Sequence, residues 1–170
     1  MPLVISDASP LIALAKIRQL HILKKLWPEI IIPEAVYKEV VIEGREKPEV
    51  EIIEEGCKVW IKVIPVKNRP EVEALQAILD EGEAEVIALG QEMKADLLLL
   101  DNREPRIFAR NLNLKIIGTI GIVRLAWQKG LIKEPLEEIN KLKSKGFWIS
   151  DQLFEQIKKE IVKIKSSNHP

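Results

Sequence analysis

Four consecutive leucines, Leu97 to Leu100, run straight into Asp101, and few folds accommodate such a run. A strand that is apolar at every position must be covered on both faces, the condition of a parallel sheet held between helices. The pattern recurs in shorter form as Leu3-Val4-Ile5-Ser6 before Asp7, Glu29-Ile30-Ile31-Ile32 before Pro33, and Lys115-Ile116-Ile117 before Gly118. Between these runs the apolar residues fall at helical spacing: Leu11, Leu14, Ala15 and Ile17 after Pro10, Val36, Val40 and Val41 after Glu34, and Val86, Ile87, Leu89 and Met93 after Glu83. Strands alternating with helices predict an α/β protein, a three-layer α/β/α sandwich with a central, mostly parallel sheet and additional C-terminal helices.

The rest of the chain fits this frame. Gly44 to Gly56 is acidic and contains Pro48, which predicts a loop and a short solvated helix, and a third strand is expected within Val59 to Val66. Asn68-Arg69-Pro70 starts a helix that Asp80-Glu81-Gly82 breaks, and Glu104 to Asn111 is expected to be helical. Beyond Gly130, Glu134 to Lys145 and Asp151 to Lys165 read as amphipathic helices separated by Gly146-Phe147-Trp148, with Asp151 as N-cap. The expected organisation is an α/β domain over residues 1–132, a helical appendage over 133–165 packed on the same domain, and a flexible tail over 166–170.

Composition narrows the function. Of 170 residues, 26 are basic and 26 acidic, so the formal net charge is +0 and any nucleic-acid surface must be local. A single cysteine, Cys57, excludes an intrachain disulfide and a multi-cysteine zinc site and suits a reducing cytoplasm. No signal-like segment precedes Asp7, and no apolar stretch approaches the roughly 20 residues that span a bilayer, so a cytoplasmic protein without a membrane partner is expected. Gly118-Thr119-Ile120-Gly121 matches neither a P-loop nor a dinucleotide fingerprint, so no nucleotide cofactor is expected. His21 and His169 are too isolated for zinc or a triad. Trp27, Trp60, Trp127 and Trp148 read as core or interface residues rather than base-stacking platforms.

The acidic residues carry the chemistry. Asp7 and Asp101 each follow a buried strand, where open α/β sheets bind ligands. Glu39 lies off the apolar stripe of the helix announced by Pro33-Glu34, and Glu83 lies in the first turn of the helix announced by Glu81-Gly82. Taken singly, a helical glutamate is ordinarily solvated and an aspartate past a strand is ordinarily a turn or cap. Their joint order and spacing point to a site. Converging carboxylates repel one another, and Mg²⁺ or Mn²⁺, which prefer oxygen ligands, is the natural reason to assemble them. Arg103, Arg106 and Arg110 follow Asp101 at helical spacing, which predicts either a basic face suited to phosphate or an ordinary solvated arginine face paired with Glu104. The lysines of the C-terminal helices are interspersed with glutamates and read as an ordinary exposed face.

The segments Ser6-Asp7-Ala8-Ser9-Pro10-Leu11-Ile12, Glu39-Val40 after Ile32-Pro33, Gly82-Glu83-Ala84-Glu85-Val86-Ile87-Ala88-Leu89, Leu100-Asp101 and Gly118-Thr119 resemble the PIN domain. More narrowly, they resemble archaeal and bacterial PIN-like proteins related to the VapC toxins that carry a GEAE segment. The likeness spans roughly Leu3 to Ile132. It implies an α/β/α sandwich and a metal-dependent ribonuclease with Asp7, Glu39, Glu83 and Asp101 as the acids that hold metal and support catalysis. Ser9 matches the small polar residue that accompanies the first acid. Glu83 is a better match than Glu85 for the third acid, because Asp101 lies 18 residues beyond it and Ala88 five. Two differences from the VapC pattern stand out. The third acid is glutamate rather than aspartate, and Asn102-Arg103 follows Asp101 where many relatives place another acid, leaving Glu85 and Glu104 as nearby acids outside the motif.

The expected activity is a metal-dependent endoribonuclease that hydrolyses phosphodiester bonds of RNA, the toxin of a toxin–antitoxin pair with a protein antitoxin as partner. Ser9, Arg103 and Arg106 are the expected substrate contacts. The alternative is a PIN-like module that binds RNA or a protein partner without cutting. Trp127, Trp148, Phe147 and Phe154 exceed what two terminal helices need to bury internally, so a homodimer is expected.

Overall fold

Each apolar run becomes a strand shorter than its sequence span: β1 Val4–Ser6, β2 Ile30–Ile32, β3 Ile61–Val63, β4 Leu97–Leu99 and β5 Ile116–Ile117. The computed structural model describes the backbone of residues 1–167 and the side chains of residues 1–165. The five strands form one sheet in the order β3-β2-β1-β4-β5, and every pairing is parallel. The chain therefore builds outward from β1 to β3, then returns to the other side of β1 for β4 and β5. That reversal creates a topological switch point between β1 and β4, where ligands of open α/β sheets bind. Val4, Ile5 and Ser6 pair in register with Leu97, Leu98 and Leu99, and the Asp7 N–H donates to the Leu99 carbonyl at 3.0 Å. Asp7 and Asp101 consequently leave the sheet side by side.

Ten helices complete the described residues, counting α3 together with the π-helical turn that continues it. They are α1 Ala8–Lys16, α2 His21–Leu26, α3 Glu34–Tyr37, α4 Pro48–Val59, α5 Arg69–Leu75, α6 Glu81–Met93, α7 Arg103–Asn111, α8 Thr119–Gln128, α9 Pro135–Ser144 and α10 Asp151–Ser167. On one face α6 lies against β1 and β4, flanked by α3, α5 and α7. On the other, α1 is flanked by α4, α8 and α9. This is the three-layer sandwich, with Ile5, Ile30, Ile32, Leu98 and Leu99 fully buried at its centre. Helix α6 is buried continuously from Gly82 to Gly90. A helix covered all round has no solvated face for glutamates, so Glu83 and Glu85 on it need partners. The terminal helices contribute Ile139, Leu142, Ile157 and Ile161 to the same core cluster.

Local differences from the sequence reading have physical reasons. The acidic stretch expected as a loop and a short solvated helix contains the twelve-residue α4. Pro48 stands in its first turn, where the missing N–H costs nothing, Glu49 and Glu51 favour its positive end, and Val50 and Ile53 face the core. Helix α4 runs to Val59, so β3 keeps only the middle of the predicted strand. The cap of α10 is Ser150, whose Oγ accepts the Leu153 N–H at 3.1 Å, and Asp151 is instead its first helical residue. Helix α10 continues through Ser167, two residues into the expected tail. The remainder of that tail, 168–170, including His169, lies outside the described residues. Between Lys38 and Ile42 the helix begun by α3 widens into the π-helical turn, and the Glu43 N–H bonds the Lys38 carbonyl at 2.8 Å. Such turns concentrate at functional sites, and Glu39 sits in this one.

Candidate active site

A cleft of about 280 Å³ opens at the carboxyl ends of the strands, lined among others by Asp7, Ser9, Glu39, Asp80 and Asn102. Its geometry is best read from Gly82, in the first turn of α6. A Cβ built on that glycine would lie 3.6 Å from Asp7 Oδ1, 3.6 Å from Asp80 Oδ1 and 3.7 Å from Glu39 Oε1. The three carboxylates therefore surround one point left open by the absence of a side chain, each pair within roughly twice that distance.

Electrostatics agree with the geometry. Burial pushes the Asp7 carboxyl up to about 7, the Ala8 amide pulls it partly back, and the charges of Glu83, Asp80 and Glu39 raise it further. Glu39 is also raised, first by desolvation and then by Asp80, Glu43 and Glu83. Asp7 and Glu39 are thus both made costly to ionise by burial and by the neighbouring acids Asp80 and Glu83.

Asp80 is the member that sequence reasoning missed. It is the N-cap of α6: its Oδ1 accepts the Glu83 N–H at 2.8 Å, while Glu83 Oε1 accepts the Asp80 N–H at 3.2 Å. The signal was present as Asp-x-x-Glu ahead of an apolar run, the capping-box signature. It read as a helix break because an aspartate that caps a helix has no visible second use.

The other two predicted acids have their oxygens committed to hydrogen bonds. Glu83 is buried, and its second oxygen accepts Asn102 Nδ2 at 2.8 Å, so both oxygens are engaged. Asp101 Oδ2 accepts the hydroxyls of Ser9 and Thr119, each at 2.7 Å, and its Oδ1 accepts the Thr119 N–H at 2.7 Å. That last bond sits at the start of α8, and it depends on Gly118, where an added Cβ would stand 3.0 Å from Asp101 Oδ1. The Ser9 hydroxyl is thus bonded to an acid of the site rather than free in the cleft. Glu85 is drawn away altogether: its oxygens accept the Ala35 N–H at 3.0 Å and Arg69 Nη1 at 2.7 Å on the far side of α6. Glu104 is exposed on α7, as are Arg103 and Arg110, whereas Arg106 is half-buried. Lys16 and Lys145 also line the acid cleft.

The donor set fits a hard divalent cation, because it is made of carboxylate oxygens converging on a gap that a Cβ would fill. Among the described residues no three His, Cys, Asp or Glu side chains already stand grouped as a metal site. Glu83 and Asp101 instead place their oxygens in hydrogen bonds to protein groups.

Parallel α/β/α architecture with acids at the switch point is compatible with a nuclease-like fold. The chain matches the PIN domain family over residues 3–163 and belongs to it. PIN domains are generally nucleases and typically depend on divalent metal. No curated protein matches the chain. Among the described residues no helix is long and apolar enough to cross a membrane.

Proposed function

We propose that this protein is a metal-dependent endoribonuclease, the toxin of a toxin–antitoxin pair. The observation that carries the reading is the convergence of Asp7, Asp80 and Glu39 on the open point beside Gly82, within a cleft at the switch point. Asp7, Glu39 and Asp80 would hold Mg²⁺ or Mn²⁺, with Glu83 and Asp101 bordering it. When bound, the cation lowers the pKa of coordinated water and offsets charge on a phosphate. Asp7, with a pKa near 7, is the group whose charge changes close to neutrality, so proton and cation compete for it. Asn102 is positioned by Glu83, and Ser9 by Asp101, at the mouth of the cleft. Lys16, Lys145, Arg103 and Arg106 supply positive charge for an RNA backbone around an acidic centre. A protein antitoxin and a homodimer belong to the same proposal.

The test is cleavage of single-stranded RNA with Mn²⁺ or Mg²⁺, with and without chelator, by the wild type and by Asp7→Asn. Metal-dependent cutting lost in Asp7→Asn supports the reading. Absence of cutting together with a melting temperature indifferent to millimolar metal rejects it. One observation favours the alternative of a module that binds RNA or a protein without cutting: Glu83 and Asp101 both commit their oxygens to structural hydrogen bonds. Under that alternative RNA or partner binding persists in chelator and no cleavage is seen.

A further inference from the structure

One aromatic ring and one cation beside the acid cleft have no structural employment. Trp148 is 82% exposed, although Trp127, Phe147 and Phe154 all pack partly buried against the core. The connector between α9 and α10 produces this. Gly146 turns the chain with φ +92, a conformation that favours glycine, and Phe147 and Ile149 then pack inward on either side of Trp148, leaving the indole turned out.

Trp148 lines a groove of about 630 Å³, within the size range of small-ligand pockets, whose other walls include Arg106, Gly118, Gly121 and Leu153. Arg106 Nε is buried without a hydrogen-bond partner, and the guanidinium makes no ion pair among the described residues. The half-buried guanidinium thus has no anionic partner in a hydrogen bond or ion pair among the described residues, and its accessible N–H groups can take an anion in the groove. The other arginine of the groove is already satisfied: Arg124 Nη2 lies 2.7 Å from both oxygens of Glu160. The groove is continuous with the acid cleft, because Ser9, Asn102, Gly146 and Phe147 line both.

We propose that this groove is a nucleotide subsite for single-stranded RNA beside the scissile bond, in which Arg106 pairs with a phosphate and Trp148 stacks on a base. The proposal rests on RNA being the substrate class proposed above. An indole and a guanidinium lining one groove match the two parts of a nucleotide, and stacking tolerates any base. Duplex is disfavoured because its bases are already stacked and hidden from a side chain at the groove wall.

The experiment measures binding of the full chain, in chelator and at low salt, to a short labelled single-stranded RNA and to an abasic ribose-phosphate strand of equal length. Trp148→Ala is expected to weaken RNA binding about 5- to 150-fold, the span of one stacked base, and to leave abasic-strand binding unchanged. Trp148→Phe should retain most of the affinity. Arg106→Ala should weaken both strands and reduce the salt slope by about one. Wild-type affinity for RNA in Trp148→Ala, equal weakening for both strands, or no RNA binding by the wild type overturns the proposal. So does light scattering in which Trp148→Ala converts a dimer to a monomer, since the indole is then a protein interface. Cleavage is scored separately. RNA bound with the expected pattern but never cut with Mn²⁺ rejects the nuclease reading and keeps the subsite. Cutting by wild type and Trp148→Ala with the same KM rejects the subsite and keeps the nuclease.

Discussion

Asp80 and Glu83 hold each other across the first turn of α6, each side chain accepting the other's backbone N–H, at 2.8 and 3.2 Å. The box closes a helix end that would otherwise bury unsatisfied amides. It also fixes both carboxylates close enough for their charges to act on Asp7 and Glu39. One local device therefore serves stability and site together, and substitution can separate the two.

Asp80→Ser keeps a good cap and removes the carboxylate. Its melting temperature in chelator is expected to stay within about 2 °C of wild type, since exchanging one good cap for another costs only a few tenths of a kcal/mol. Its rise in melting temperature on adding Mn²⁺ should shrink sharply. Asp80→Ala, which loses the cap as well, should be less stable by about 1 kcal/mol. A full Mn²⁺ response in Asp80→Ser would show that Asp80 is a cap and nothing more.

The raised acids make a signed prediction about pH. The folded pKa of Asp7 is about 7 against 3.8 for the free side chain, and Glu39 moves in the same direction. The folded protein therefore holds these protons more tightly than the unfolded chain does. Their contribution is fully present below the unfolded value and is lost as pH rises through about 7. Urea midpoints in chelator should show wild type losing stability relative to Asp7→Asn between pH 5 and pH 8. Mn²⁺ binding at pH 6 should release protons, read by calorimetry in buffers of different ionisation enthalpy. A pH-independent difference between the two proteins contradicts the assignment.

How far the sequence disclosed this arrangement depends on how local each cause is. The placement of Asp7 and Asp101 was legible because a short apolar run ending in an acid carries its meaning within a few residues. Glu39 was legible as a solvent-side residue of a helix, but the π-helical turn that carries it was not, since that turn follows from packing rather than from a periodicity. Glu85 is settled by Arg69, 16 residues away on α5, a pairing visible only once α5 lies against α6. Trp148 read as core or interface because most large aromatics are buried, and only the inward packing of its two neighbours turns it out. Helix α4 was underestimated because Pro48 and the surrounding acids look like loop chemistry, though the same residues suit a helix N-terminus.

Asp101 is held by two hydroxyls on the same oxygen, from Ser9 and Thr119. Ser9→Ala or Thr119→Val alone leaves Oδ2 one donor, and each is expected to cost about 1–2 kcal/mol. The double variant leaves Oδ2 without either hydroxyl, so its cost should exceed the sum of the singles. Denaturant unfolding of the four proteins in a double-mutant cycle measures the coupling. Strict additivity would mean that water replaces these donors and that Asp101 is less dependent on them than the distances imply.

Gly82 offers the most direct test of the site, because there stability and function are expected to move in opposite directions. Its position in α6 is ordinary helix, so Gly82→Ala gains helix propensity, and the new methyl would meet its nearest neighbours at 3.6 to 3.7 Å, ordinary van der Waals contact. Those neighbours are the oxygens of Asp7, Asp80 and Glu39, so the methyl occupies the point that the three carboxylates surround. In chelator the variant should melt at or slightly above the wild-type temperature. Its response to Mn²⁺ and any metal-dependent RNA cleavage should be lost together. A Gly82→Ala protein that binds Mn²⁺ and cuts RNA like the wild type would place the chemistry elsewhere and reduce the convergence at Gly82 to crowding around a helix start.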